Sequence, residues 1–435
     1  MWQRIARLFP RGKFARRLAW ITGGTLVGQI LLVGAMPLLT RIYSLEDFGL
    51  FAVLGALNGI FGIVMACRYE FAIPLVAKDD DAAALVVLGA LVALFLSLVS
   101  ALLVWGLGDA LAELTDLPAL VPLLWLLPPI LLITGLGQLF EYWSIRRETL
   151  KLNGASRVVQ FGGQAVSQSV LGFAGTGAMG LTVGYGLGYV ARLILFVVAL
   201  PTGDRAAIAA ARLPQIRHLA RTFLSYPTYS TASSLLRSAT QFLPTIIFAA
   251  LYGPAVAGGF DLAQRLLTVP VRLLSGAASQ VFLLEAAQRS AKDVLKLFMR
   301  TLPRFLVLGI AGMAPLLLAG PWLFALLFGE PWREAGSFAQ ALVAYQLTRF
   351  VAVPVSQAFN VFGRQDLEFH TSLLNGMALI VSFALIIWTE CQSSTAVWLY
   401  SGASAISQAA MLWLAWRMTR RAAKSDLPVS RSARE

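Results

Sequence analysis

Residues 261–279 read DLAQRLLTVPVRLLSGAAS, charged residues set in a run apolar enough to cross a bilayer. At about 100° per residue on a helix, Asp261, Arg265, Thr268, Arg272, Ser275 and Ser279 fall within about 80° of one another. Charge is expensive in hydrocarbon, so such a stripe must face a water-filled cavity, a partner or the interior of a helix bundle. Similar stripes recur along the chain. Tyr226, Ser230, Ser233, Arg237 and Gln241 share one face; so do Tyr345, Arg349, Ser356 and Asn360, and so do Tyr185, Tyr189 and Arg192. Gln160, Gln164 and Ser167 line up, as do Thr22, Thr25 and Gln29; Gln138 and Tyr142 share a face with Glu141 beside them. Guanidinium forks match phosphate oxygens and stay charged when desolvated, while Tyr and Gln suit sugar hydroxyls. The chemistry these residues favour is binding of an amphiphile with a phosphate or pyrophosphate head, with Arg192, Arg237, Arg265, Arg272, Arg349, Tyr226 and Tyr345 as the cavity set.

Each stripe also has a plainer reading. Uncharged Ser, Thr and Gln serve as interhelical packing and hydrogen-bonding contacts. Asp261 and Arg265 stand at i,i+4 and can neutralise each other, and Arg265 can snorkel to an interface. Arg272 has no acid one turn away, and Arg237 and Arg349 lack a near acid in sequence, with Glu141 open as a spatial partner. Arg68 and Glu70, at i and i+2, do not share a helix face. Pro74 should distort the inner end of their span. This pair either positions the span at the interface or lines an inner gate.

The elements that must hold these stripes follow from composition. Hydrophobic residues make up 58% of the 435-residue chain, charged residues 13%, and the mean hydropathy is +0.72; soluble domains carry about 25% charge. The expected fold is therefore all-α and polytopic. Apolar stretches at 18–40, 49–76, 82–107, 121–143, 157–175, 178–200, 224–252, 256–284, 303–328, 336–361, 369–389 and 394–416 each approach the ~20 residues a span needs. Twelve spans with an inside N-terminus put 27 of the 35 Lys and Arg in inside segments and only Arg41 and Arg333 outside. That asymmetry predicts both termini in the cytoplasm and accounts for the net charge of +13 without nucleic acid.

The expected organisation is a basic lead over 1–17, a six-span lobe over 18–200, a cytoplasmic linker over 201–223, a second six-span lobe over 224–416 and a basic tail over 417–435, with the two lobes around a central cavity. A faint repeat supports the division: Tyr43, Gly49 and Phe51 recur 209 residues later as Tyr252, Gly258 and Phe260. No cleaved signal peptide is expected. The two cysteines imply neither a disulfide framework nor a metal site. No enzyme constellation appears: His218 and His370 fall in or beside connections, Asp79, Asp80 and Asp81 open a helix where acids favour the dipole, and the Gly-rich run 172–188 lacks a phosphate-loop spacing.

Residues 41–77, from RIYSLEDFGLFA through CRYEFAIPL, resemble the early signature of the Wzx-like bacterial polysaccharide flippases of the multidrug/oligosaccharidyl-lipid/polysaccharide superfamily. Leu224-Ser225-Tyr226-Pro227 and the turn Phe328-Gly329-Glu330-x-Trp332 are similar to further family features. The resemblance implies transfer of a polyprenyl-pyrophosphate-linked oligosaccharide to the outer leaflet by alternating access, with no cofactor and with coupling to an H+ or Na+ gradient. It implies a location in the bacterial cytoplasmic membrane and, as partners, membrane lipids, a polysaccharide polymerase and chain-length proteins. Arg41, Glu46, Asp47, Arg68 and Glu70 match the family motif; of these, Arg41, Asp47, Arg68 and Glu70 are the gating or ion-coupling positions, and Glu141 and Asp261 join them on charge alone. Two other functions compete. A multidrug exporter of cationic drugs would favour an acidic cavity, against the excess of intraspan arginine. A membrane polymerase or ligase would need an outer catalytic platform, and the outside loops look short.

Overall fold

A computed structural model describes residues 13–115 and 117–424. The described residues are helical throughout, without strands. Twelve long helices follow in order: α1 Lys13–Ile42, α2 Leu45–Phe61, α3 Asp79–Thr115, α4 Leu127–Arg146, α5 Leu150–Phe173, α6 Gly177–Val198, α7 Thr231–Tyr252, α8 Pro254–Ala287, α9 Ala291–Phe328, α10 Arg333–Ser356, α11 Gln365–Thr389 and α12 Ser393–Lys424. Among the described residues nine helical stretches are long and apolar enough to span a membrane, and α4 with the short helical stretch before it makes a tenth, bent by 42°. Pro128 and Pro129, in the first turn of α4, stand at that bend because a ring there removes donors and clashes with the preceding turn. The other two, α5 and α12, are 24 and 32 residues long but carry Gln, Ser, Thr and Arg in place of aliphatics. The chain is a multi-pass membrane protein, and the twelve helices lie on the twelve apolar stretches read from the sequence.

The chain forms two compact units, Met1–Gly258 and Gly259–Glu435. In the first, α2 is the core: every residue from Phe48 to Leu54 is buried, and α2 packs on α4, α6 and α7. On the other side α5 packs against both α1 and α6. In lipid the drive for helix association is close contact rather than water release, so small residues let backbones approach. Gly49 and Gly258 mark one such crossing. A Cβ on Gly258 would sit 2.5 Å from the Leu45 carbonyl oxygen and 2.8 Å from the Gly49 nitrogen; a Cβ on Gly49 would collide with the Pro254 carbonyl. Only glycine fits either position.

The second unit packs α10 against α9 and α12, and its buried cluster includes Phe282, Phe298, Val355, Phe359 and Ala415. Proline is frequent inside its helices: Pro270 in α8, Pro303, Pro315 and Pro321 in α9, Pro354 in α10. Local irregularity absorbs the lost donor; in α9 Ala319 leaves helical geometry at φ −136°, ψ 24°.

The stretch 201–223 folds into helices Thr202–Ala209 and Leu213–Thr222, the second burying Ile216 and Leu219. One expectation needs adjustment: the second span does not run to Pro74. Its α-helix stops at Phe61 and continues as two short 3-10 turns, Gly62–Val64 and Tyr69–Ala72, thirteen residues before the proline. Of the basic lead, Arg4, Arg7 and Arg11 lie outside the described residues, as does the tail beyond Lys424.

Candidate functional site

The motif at 41–51 is first of all a helix start. Ser44 caps α2: its hydroxyl accepts the Asp47 amide at 3.1 Å while the Asp47 carboxylate accepts the Ser44 amide at 3.0 Å, a reciprocal capping box. The other Asp47 oxygen accepts the Ala178 amide at 2.7 Å, tying the start of α2 to the start of α6. Tyr43 donates to the Gln168 carbonyl of α5 at 2.6 Å. Acids in the first turn of α2, Glu46 and Asp47, and the base in the last turn of α1, Arg41, each match the local dipole. Arg41 and Glu46 are exposed.

Charge clusters form in the first unit, and a first one stands near the break in the second span. At the break in the second span, Cys67 and Arg68 adopt left-handed backbone, φ 46° and 62°. This turns Arg68 back onto its own segment and makes the i,i+2 pair possible: its Nη1 lies 3.4 Å from Glu70 Oε1. In a regular helix that pair could not meet. The same guanidinium donates twice to Ser234 Oγ of α7, at 3.1 and 2.8 Å, and sits 4.4 Å over the Phe71 ring. Glu70 is 1% exposed, and its Oε2 has no hydrogen-bond partner. Phe71 in turn meets Tyr142 and Tyr226, with ring centroids 5.1 and 6.4 Å away. Tyr226 opens a π-helical turn, Tyr226–Ser230, that leads into α7, so irregular backbone on two spans meets at one place. Such turns recur at functional sites.

The second cluster joins α4, α5 and α6. Arg157 Nη2 donates to both oxygens of Glu141 at 3.0 Å, and Arg192 Nη2 donates to Oε2. Arg192 is 2% exposed and lies over Phe196 at 5.5 Å. Arg157 lies within α5, one turn before Gln160 on the same face, and that spacing is the signal in the sequence that marks it. One turn from Arg192, Tyr189 begins a polar chain. Its hydroxyl is 3.2 Å from that of Tyr185, which accepts from Asn58 Nδ2 at 2.7 Å, and Thr134 donates to Asn58 Oδ1 at 3.3 Å. Asn58, alone in an apolar run, was not singled out in the sequence. Arg237 is exposed on α7.

At the end of α4, Arg146 and Arg147 pair with Asp79 at 2.7 and 2.8 Å, and Arg147 with Asp204 at 2.5 Å. Burial works against the Arg147 charge, but the two carboxylates outweigh it and hold its guanidinium above its usual range. Asp204 also accepts from Trp143 Nε1 at 2.9 Å. The acidic run at 79–81 thus opens α3 as expected and, beyond that, anchors the end of α4, from which Arg147 bridges to Asp204 of the helix Thr202–Ala209.

In the second unit the opening stripe divides. Asp261 and Arg265 pair at 2.5 Å. Further along, Gln346 donates to Thr268 at 3.0 Å, and Ser275 and Ser279 donate to the Phe350 and Val353 carbonyls of α10 at 3.0 and 3.1 Å. These three uncharged members pack α8 on α10. Arg272 is exposed, Arg349 half-buried, and Tyr345 lies 6.0 Å from the Tyr400 ring.

A multi-pass helical chain with paired charges on its intramembrane helices has the fold of polytopic transporters. It aligns over 93% of its length with 90% of the lipid II flippase MurJ in an inward closed conformation, TM-score 0.67 at 13% identity. It aligns over 97% with 98% of a MOP-superfamily transporter from Pyrococcus furiosus, TM-score 0.62 at 13% identity. An outward-facing multidrug resistance MATE family transporter gives TM-score 0.60 at 13% identity over 95% of this chain and 96% of that one. The sequence profile of the polysaccharide biosynthesis protein family matches residues 14–283, and the chain belongs to that family. A segment of 165 residues, 37% of the chain, is 26% identical to the lipopolysaccharide biosynthesis protein WzxC of Escherichia coli K12, of whose length it spans 33%. The resemblance to the Wzx-like flippases is thereby borne out.

Proposed function

We propose that this protein is a flippase that moves a polyprenyl-pyrophosphate-linked oligosaccharide across the bacterial cytoplasmic membrane for surface polysaccharide biosynthesis. Both termini are cytoplasmic, and two six-helix lobes, 18–200 and 224–416, open alternately to each side. The reading rests on one observation above the family membership. The intramembrane acids Glu70, Glu141 and Asp261 are each committed to an arginine, and the arginines of the spans outnumber them. Spans that carry more guanidinium than carboxylate favour an anion such as pyrophosphate over a cationic drug. Arg192, Arg237, Arg265, Arg272 and Arg349 hold the phosphates and nearby sugars, Tyr226 and Tyr345 flank them, and the prenyl tail stays in lipid. The protein works as a transporter rather than an enzyme. An H+ or Na+ gradient drives it through Glu70, Glu141 or Asp261, and a polymerase and chain-length proteins take over its product.

The test is a deletion strain complemented with variants. Arg272→Ala abolishes surface polysaccharide while inserting normally, and Arg272→Lys retains part of the output. Normal polymer from the Ala variant removes Arg272 from the site. Absence of lipid-linked oligosaccharide on the inner leaflet of the deletion strain removes the function itself.

A further inference from the structure

The cluster of Glu141, Arg157 and Arg192 has the geometry of an oxyanion held in a guanidinium fork. Arg157 reaches both carboxylate oxygens, Arg192 reaches one, and the three side chains sum to one net positive charge. The fork is not used up. Arg192 Nε is buried without a hydrogen-bond partner, although its side chain is 2% exposed. Arg157 Nη1 has only a 3.5 Å contact to Gln160 Oε1. A buried guanidinium with an idle donor is costly, and a carboxylate supplies two oxygens where the fork can serve more. The site is partly open: Arg157 and Glu141 are 29% and 18% exposed. It lies about 8 Å, five residues at 1.5 Å each, from Arg146 at the end of α4, within reach of a headgroup.

We propose that this fork is an oxyanion-exchange site in which Glu141 is the resident anion. A phosphate or pyrophosphate group entering from the exposed side displaces the carboxylate, which swings out along its own open edge. The incoming group has more acceptor oxygens and more charge than the carboxylate it replaces, so it takes up the Arg192 donor that Glu141 leaves idle. The exchange explains why a chain whose spans suit anions places an acid between two arginines: the empty fork would otherwise hold two unpaired charges. This deepens the transport reading by giving the phosphate a place on α4, α5 and α6, but the exchange is measurable without transport.

Full-length protein in detergent is titrated with inorganic pyrophosphate by calorimetry. Glu141→Gln, which empties the fork of its resident charge, binds at least 10-fold more tightly than the unsubstituted protein, and pyrophosphate raises its unfolding temperature while leaving the parent's nearly unchanged. Glu141→Asp keeps the charge but withdraws the carboxylate by one methylene, and gains affinity to a lesser degree; it serves if the Gln variant does not fold. Equal affinity in the parent and in whichever variant folds overturns the proposal, and so does a gain that survives adding Arg157→Gln. Competition by farnesyl pyrophosphate beyond that by phosphatidylglycerol assigns the anion to a prenyl carrier; the reverse order assigns it to a lipid headgroup, and the exchange stands in either case. A pyrophosphate gain in a protein whose deletion leaves polysaccharide export intact would uphold the fork and remove the transport reading.

Discussion

Arg68 carries two opposed energies that substitution can separate. Its backbone sits at φ 62°, ψ 11°, a conformation that costs an L-residue about 1–2 kcal/mol. Its side chain returns two charge-assisted hydrogen bonds to Ser234 and the pairing with Glu70. Arg68→Ala keeps the strain and loses the bonds. With Glu70 buried and one oxygen already orphaned, removing the guanidinium costs about 3–5 kcal/mol, the usual effect of stranding a buried partner. Arg68→Gly loses the same contacts but relieves the backbone. Glycine's extra unfolded-state entropy takes back about 0.5–1 kcal/mol, so the Gly variant is more stable than the Ala variant by about 0.5–1 kcal/mol. Adding Glu70→Gln to either recovers most of the loss, because the stranded charge is gone. The assay is denaturant unfolding of detergent-solubilised protein, followed by tryptophan fluorescence, with all variants side by side. An Ala variant as stable as the Gly variant refutes the strain argument. Failure of Glu70→Gln to compensate refutes the pairing.

Two further predictions concern the fold and its orientation. Gly49→Ala drives a methyl into the Pro254 carbonyl and costs about 1–3 kcal/mol as an overpacking defect, seen as a lower unfolding temperature, whereas Gly34→Ala, with open space at its Cβ, is neutral. Alkaline phosphatase fusions are active after Arg333 and inactive after Lys296 or Arg205, while fluorescent-protein fusions glow at the latter two; the opposite pattern inverts the assigned topology.

The helices were legible because a membrane span writes its length and apolarity directly into the chain. Even so, α9 starts at Ala291, about twelve residues before the apolar stretch at 303, since Ser290 caps a polar first section that hydropathy does not register. The prolines of α8, α9 and α10 did not end their helices, and the second span broke where no proline stands. There the break is set by a left-handed pair at Cys67 and Arg68, and neither residue type advertises that conformation. The i,i+4 pairing of Asp261 with Arg265 was readable because helix geometry alone decides it. Arg68 with Ser234, and Glu141 with Arg157 and Arg192, are separated by 166, 16 and 51 residues. Spacing gives a face but not the neighbour it meets, so the stripes were visible and their partners were not.

The glycine crossing bears on the repeat that was faint in sequence. Shifted by 209 residues, Leu45 becomes Pro254 and Gly49 becomes Gly258. Gly49 lies against Pro254, and Gly258 lies against Leu45. Position i of one copy therefore touches position j of the other, and j touches i, which is the signature of an isologous contact, the kind that a two-fold axis makes between identical subunits. Here a single chain supplies both halves. Because backbone atoms form the contact, the side chains flanking the two glycines can diverge between the copies without disturbing it.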